Sequence, residues 1–63
     1  MKLLSKKQVT QKVLYSAAHI ARLEAAGRFP LRVVLGQSRV GWLESEIDEW
    51  IAEMVARRDA STR

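Results

Sequence analysis

The sequence predicts a mainly α-helical domain with one small β-hairpin, in the order helix, turn, helix, hairpin, helix. Three observations predict it. Two runs of helix-forming residues, each preceded by a serine at a capping position, are separated by only Val13-Leu14-Tyr15. A β-branched stretch, LRVVL at 31–35, is followed by turn residues and a second strand-like run. The last third carries apolar residues at helical spacing.

The first helix is expected at about residues 6–12. Ser5 and Gln8 have the spacing of a capping box, and Leu4 and Val9 occupy the two positions of a hydrophobic staple. Ser16 is the next N-cap, and Gly27 is placed to end the second helix in the left-handed conformation. Between them, AAHIARLEAA is almost entirely good helix formers. Two short helices joined this closely read as a helix-turn-helix.

Pro30 cannot continue a helix, so the pattern changes there. Leu31, Val33 and Leu35 share one face of a strand, with Arg32 and Val34 on the other. Gly36-Gln37-Ser38 supplies turn chemistry, and Arg39 to Leu43 return antiparallel. A two-stranded hairpin is too small to stand alone and must pack on the helices as a wing. For the last helix, Ser45 and Asp48 resemble a capping box. Ile47, Trp50, Ile51, Met54 and Val55 form its amphipathic stripe. The tail from Asp59 to Arg63 is expected to fray. Residues 1–63 are read as a single domain, a winged helix-turn-helix.

The 63 residues contain no cysteine, so neither disulfides nor thiolate metal sites can stabilise the fold. A chain this short buries only about 60% of its unfolded surface. No apolar run reaches the length of a membrane span, and MKLLSKKQ lacks the apolar stretch of a secretory signal. A cytoplasmic location with no membrane partner is therefore expected. His19 is the only conventional base near neutral pH, and the serines are mostly explained by caps and a turn. With no phosphate loop, carboxylate pair or metal spacing, the chain is expected not to be an enzyme and to need no cofactor.

Charge points elsewhere. Residues 1–43 carry eight Lys and Arg against Glu24 alone, a balance of +7, whereas residues 44–63 carry three arginines against six carboxylates, a balance of −3. Such segregation suits one polyanion-facing side; ordinary solvated charge is the plain alternative. At 100° per residue, Ile20 and Leu23 lie on one side of the second helix. Ala18, Ala21, Arg22 and Ala25 lie roughly opposite, with His19 at the edge. Small side chains around one arginine suit close approach to a major groove, where alanine methyls meet thymine methyls and arginine grips guanine. Arg39, with Gln37 and Ser38 at the hairpin tip, is placed to reach phosphates. Lys6, Lys7, Lys12, Arg28 and Arg32 are further candidates for phosphate contacts that position without specifying sequence. Trp42, Trp50, Phe29 and Tyr15 are read as core.

The string GRFPLRVVLGQSRVGWLESEIDEWIAE, residues 27–53, together with LLSKKQV near the start, resembles the AlpA-type prophage regulators. These belong to the wider MerR-like and excisionase-like group of small winged helix-turn-helix domains. The resemblance implies DNA binding, with the second helix in the major groove and the wing on the adjacent backbone. It carries the groove-facing set onto Ala17, Ala18, His19, Ala21 and Arg22, and the wing contacts onto Gln37, Ser38 and Arg39. Ser16, at the start of that helix, and Arg28, just after it, complete the expected DNA-binding set. The chain departs from the family in its turn. Leu14 occupies the usual glycine position, and Ala21 replaces a tyrosine. A different operator, or weaker direct readout, follows, and Leu14 is strained if its position needs positive φ.

The expected function is thus a sequence-specific, double-stranded DNA-binding regulator of prophage or mobile-element genes, self-associating on its sites. Two alternatives stay open. One is an excisionase acting with an integrase. The other is a protein-interaction module using Glu44, Glu46, Asp48, Glu49 and Glu53 of the acidic last helix.

Overall fold

A computed structural model describes residues 1–61. The elements run β1 (Leu3–Leu4), α1 (Lys6–Val13), α2 (Ala17–Ala25), β2 (Val33–Val34), β3 (Val40–Leu43) and α3 (Glu44–Ser61). Three helices thus surround a small antiparallel sheet of order β1-β3-β2.

Local chemistry sets the first two helices. The Ser5 hydroxyl accepts from the Gln8 N–H at 3.2 Å, and the Gln8 side chain accepts from the Ser5 N–H at 2.9 Å, so the capping box is complete. Leu4 and Val9 are both buried beside it, as a staple requires. The next residue after α1, Leu14, is left-handed with φ 64°. That conformation costs a β-carbon-bearing residue about 1–2 kcal/mol. The expectation of strain at this position is met.

The Ser16 hydroxyl caps α2 by accepting from the His19 N–H at 3.2 Å. At the other end, the Gly27 N–H donates to the Glu24 carbonyl and the Arg28 N–H reaches back to Leu23, at 3.0 and 2.8 Å. With Gly27 at φ 72°, this is a Schellman stop.

The sheet has one strand more than the sequence suggested. Leu3 and Leu4 pair with Leu43 and Trp42, so the hairpin's second strand becomes the centre of the sheet. Val33 and Val34 pair with Gly41 and Val40 on its other side. Gly41 allows this crowding, since a β-carbon there would lie 3.2 Å from both the Leu4 carbonyl oxygen and Leu35. Of the expected strand 31–35 only Val33–Val34 forms, and Leu31 is 71% exposed, so the expected apolar face is not buried as a unit.

One expectation for α3 is corrected. The helix begins at Glu44, directly after β3, so Ser45 lies inside its first turn and does not cap it. The Glu44 N–H is satisfied by the Lys2 carbonyl at 2.9 Å, and Asp48 pairs with Lys12. A tail expected to fray from Asp59 is helical through Ser61, with no glycine or proline to stop it and Arg58 paired to Asp59 at 2.8 Å. Residues 62–63 lie outside the described part.

Leu4, Val9, Ile20, Phe29, Trp42 and Ile47 form the core, one residue from each element except β2, with Phe29 from the loop after α2. Val13, Leu23, Val40, Trp50 and Ile51 pack around it. The α3 stripe is only half used. Ile47 is fully buried, whereas Val55 is exposed.

Candidate nucleic-acid interface

The core fixes which side of α2 faces outward. Ile20 is buried and Leu23 half-buried, so Ala18, Ala21, Arg22 and Ala25 are left exposed on the opposite side, with Ala17 exposed at the flank. His19 sits at the edge, half-buried, its ring against the edge of Tyr15 at 4.4 Å. Tyr15 in turn meets Trp50, which meets Phe29, at 5.9 and 4.9 Å. This aromatic chain pins the start of α2 to α3. The Ser16 oxygen accepts the cap bond, while its O–H proton remains a donor.

The hairpin tip is closed by the Leu35 N–H donating to Arg39 at 2.8 Å, leaving Gln37, Ser38 and Arg39 exposed. Ser38 and Arg39 line one open depression with Ser5, Lys6 and Gln8. The structure therefore brings the start of α1 beside the tip.

The basic residues divide into two kinds. Lys12 is bound to Asp48 at 2.8 Å and lies 3.7 Å from Glu44, which Lys2 also approaches at 3.8 Å. The hydrogen bond that Lys12 donates to Asp48 is the main cause holding its ammonium above the ordinary lysine value, against the opposing effect of burial. Arg32 is bound to Glu24 and stacks over the Trp42 ring, 5.2 Å from its centroid. Its pKa is likewise raised, chiefly by the Glu24 hydrogen bond. These internal pairs already engage Lys12 and Arg32, two of the residues expected to contact phosphates. By contrast Lys6, Lys7, Arg22, Arg28 and Arg39 form no ion pair among the described residues.

Arg28 stands apart from the others. It lines a cleft between α3 and the loop after α2, together with Glu46, Glu49 and Glu53. Its carbonyl accepts from the Trp50 indole N–H at 2.9 Å. Among the described residues no group of His, Cys, Asp or Glu is placed to hold a metal ion, and no helix is long and apolar enough to cross a membrane.

Sequence reading missed the pairing of Lys12 with the first turns of α3 and the Tyr15–His19 contact. The first joins residues more than thirty positions apart, which no local pattern reveals. The second was legible in principle, because aromatic side chains four residues apart across a helix start can meet.

Residues 2–55 match the family described as Prophage CP4-57 regulatory protein (AlpA). The chain belongs to this family. A stretch of 25 residues is also 52% identical to the DNA-binding transcriptional activator AlpA of Escherichia coli (strain K12). That stretch covers 40% of this chain and 36% of the relative, so the match spans little more than a third of the curated protein. Within the matched residues, Leu14 takes the positive φ that a glycine would favour.

Proposed function

We propose that the chain is a cytoplasmic, sequence-specific regulator that binds double-stranded DNA and controls prophage or mobile-element genes. In this reading α1 and α2 form the helix-turn-helix of a winged domain of the MerR and excisionase type. α2 lies in the major groove, and the β2–β3 hairpin grips the adjacent backbone. One observation carries it: α2 exposes an unpaired arginine among alanines, with nothing larger to keep a groove wall away. Arg22 is then the base reader, with Ala17, Ala18 and Ala21 against the groove floor and His19 and Ser16 near its edge. Lys6, Lys7, Arg28 and Arg39 neutralise phosphates.

The acidic helix is a poor competitor for this role. Glu44 and Asp48, two of its five named carboxylates, are already engaged by the chain's own lysines. Selection of bound duplexes from a randomised pool tests the proposal. A recovered consensus containing guanine is expected, and recovery of unenriched sequence would contradict it. A promoter reporter set beside an excision assay then separates gene control from recombination, which would use the same surface. Control of the reporter without excision is expected.

A further inference from the structure

The joint between α2 and the hairpin holds a densely bonded ion pair, Glu24 with Arg32. Glu24 is the one acidic residue among the first 43, and it sits in the last turn of α2. Its carboxylate accepts from the Arg32 backbone N–H at 3.0 Å, from Nε at 3.1 Å and from Nη2 at 2.6 Å. The Glu24 side chain is only 9% exposed. Arg32 then lies over Trp42, whose indole N–H donates to the Pro30 carbonyl at 3.2 Å. Trp42 is fully buried in the central strand.

From these contacts we infer that Glu24 and Arg32 are positioning residues, bracing the hairpin tip in register with the exposed face of α2 so that both engage one duplex together. The role in binding rests on the DNA-binding reading above; the brace itself does not. Strands of two residues cannot hold their own orientation. A link from outside the ladder adds to the pairing with β3, and the path Glu24–Arg32–Trp42 runs from helix to central strand. Neither charge is left to contact DNA. A bare carboxylate beside α2 would repel phosphate, and the pairing removes that repulsion. Arginine suits this place because Nε and Nη2 of its planar guanidinium both bond Glu24 Oε1 while the plane stacks on the indole, which a lysine ammonium cannot do.

The test uses the whole chain and Arg32→Lys, with folding checked by circular dichroism. Residual dipolar couplings are measured first, without DNA. In the parent protein, amides of α2 and of residues 33–41 are expected to fit one alignment frame; in Arg32→Lys the hairpin is expected to need its own. A single frame in Arg32→Lys overturns the brace. Duplex binding is measured next. Arg39→Ala is expected to weaken it about tenfold in the parent but less than about threefold in Arg32→Lys, because coupled residues are non-additive. An unchanged factor in the two backgrounds overturns the role in binding. Should Arg32→Lys not fold, Glu24→Gln, which keeps the shape and removes the charge, is read in the same way. Absence of any duplex binding by the parent would sink the DNA-binding reading and with it the brace's role there, while the couplings still decide the brace.

Discussion

The side where α1 meets α3 and the side formed by α2 and the hairpin tip use their positive charge differently. On the first, Lys2 and Lys12 converge on Glu44 and Asp48 and tie the N-terminal segment and α1 to the start of α3. On the second, Arg22 and Arg39 are exposed and form no ion pair among the described residues. A balance of +7 over residues 1–43 is therefore not seven available charges. Attraction for a polyanion comes from the cations that the fold leaves over, and the structure sorts them.

Substitutions can break or sharpen that contrast. The largest effect should erase it. Trp42 is fully buried where both sides meet, so Trp42→Ala is expected to cost about 3–5 kcal/mol, enough to unfold much of a domain this small. Chemical denaturation reads this; a loss under 1 kcal/mol would mean that the core lies elsewhere. Trp50 is only half-buried, so its truncation should cost less. Arg22→Ala should act on one side alone, costing about 1–3 kcal/mol of duplex binding and relaxing base preference. Its melting temperature should not move. If affinity and preference are both unchanged, α2 is not the reader.

Lys12→Ala should show the opposite behaviour, a lower melting temperature with duplex binding and its salt dependence intact. The pH dependence has a definite sign. Because the folded-state pKa of Lys12 is raised, the stabilisation is complete below the ordinary lysine value of 10.5 and is lost as pH climbs through the higher folded value. In Lys12→Ala that alkaline loss should be smaller. The least effect is expected at Leu14, 85% exposed and left-handed. Leu14→Gly should stabilise by about 0.5–1 kcal/mol, as relief of strain outweighs the added chain entropy. Destabilisation would instead assign the leucine a packing role.

What was legible in the sequence was local. Ser5 with Gln8, Ser16 and Gly27 place the ends of α1 and α2 because each cap is completed within a few residues. The exposed alanines of α2 followed from periodicity alone. Contacts between distant segments were not legible. Leu3–Leu4 is too short to show alternation, and it becomes a strand only because β3 has a free edge and a glycine that admits it. Ser45 looks like a cap, yet the chain turns directly from β3 into α3 because Lys2 already satisfies the Glu44 N–H. The same blindness applied to charge. Lys12 and Arg32 look like Lys7 and Arg22 in sequence, and only their partners separate them.

Salt titration of duplex binding measures the leftover cations directly. With Lys6, Lys7, Arg28 and Arg39 neutralising phosphates, log affinity against log salt should fall with a slope of about −3.6. Removing Lys6, Lys7 or Arg39 should flatten the slope by about 0.9 each, whereas removing Lys12 should leave it alone. Equal flattening by Lys12→Ala, or a parent slope near zero, would contradict the division of charge described here.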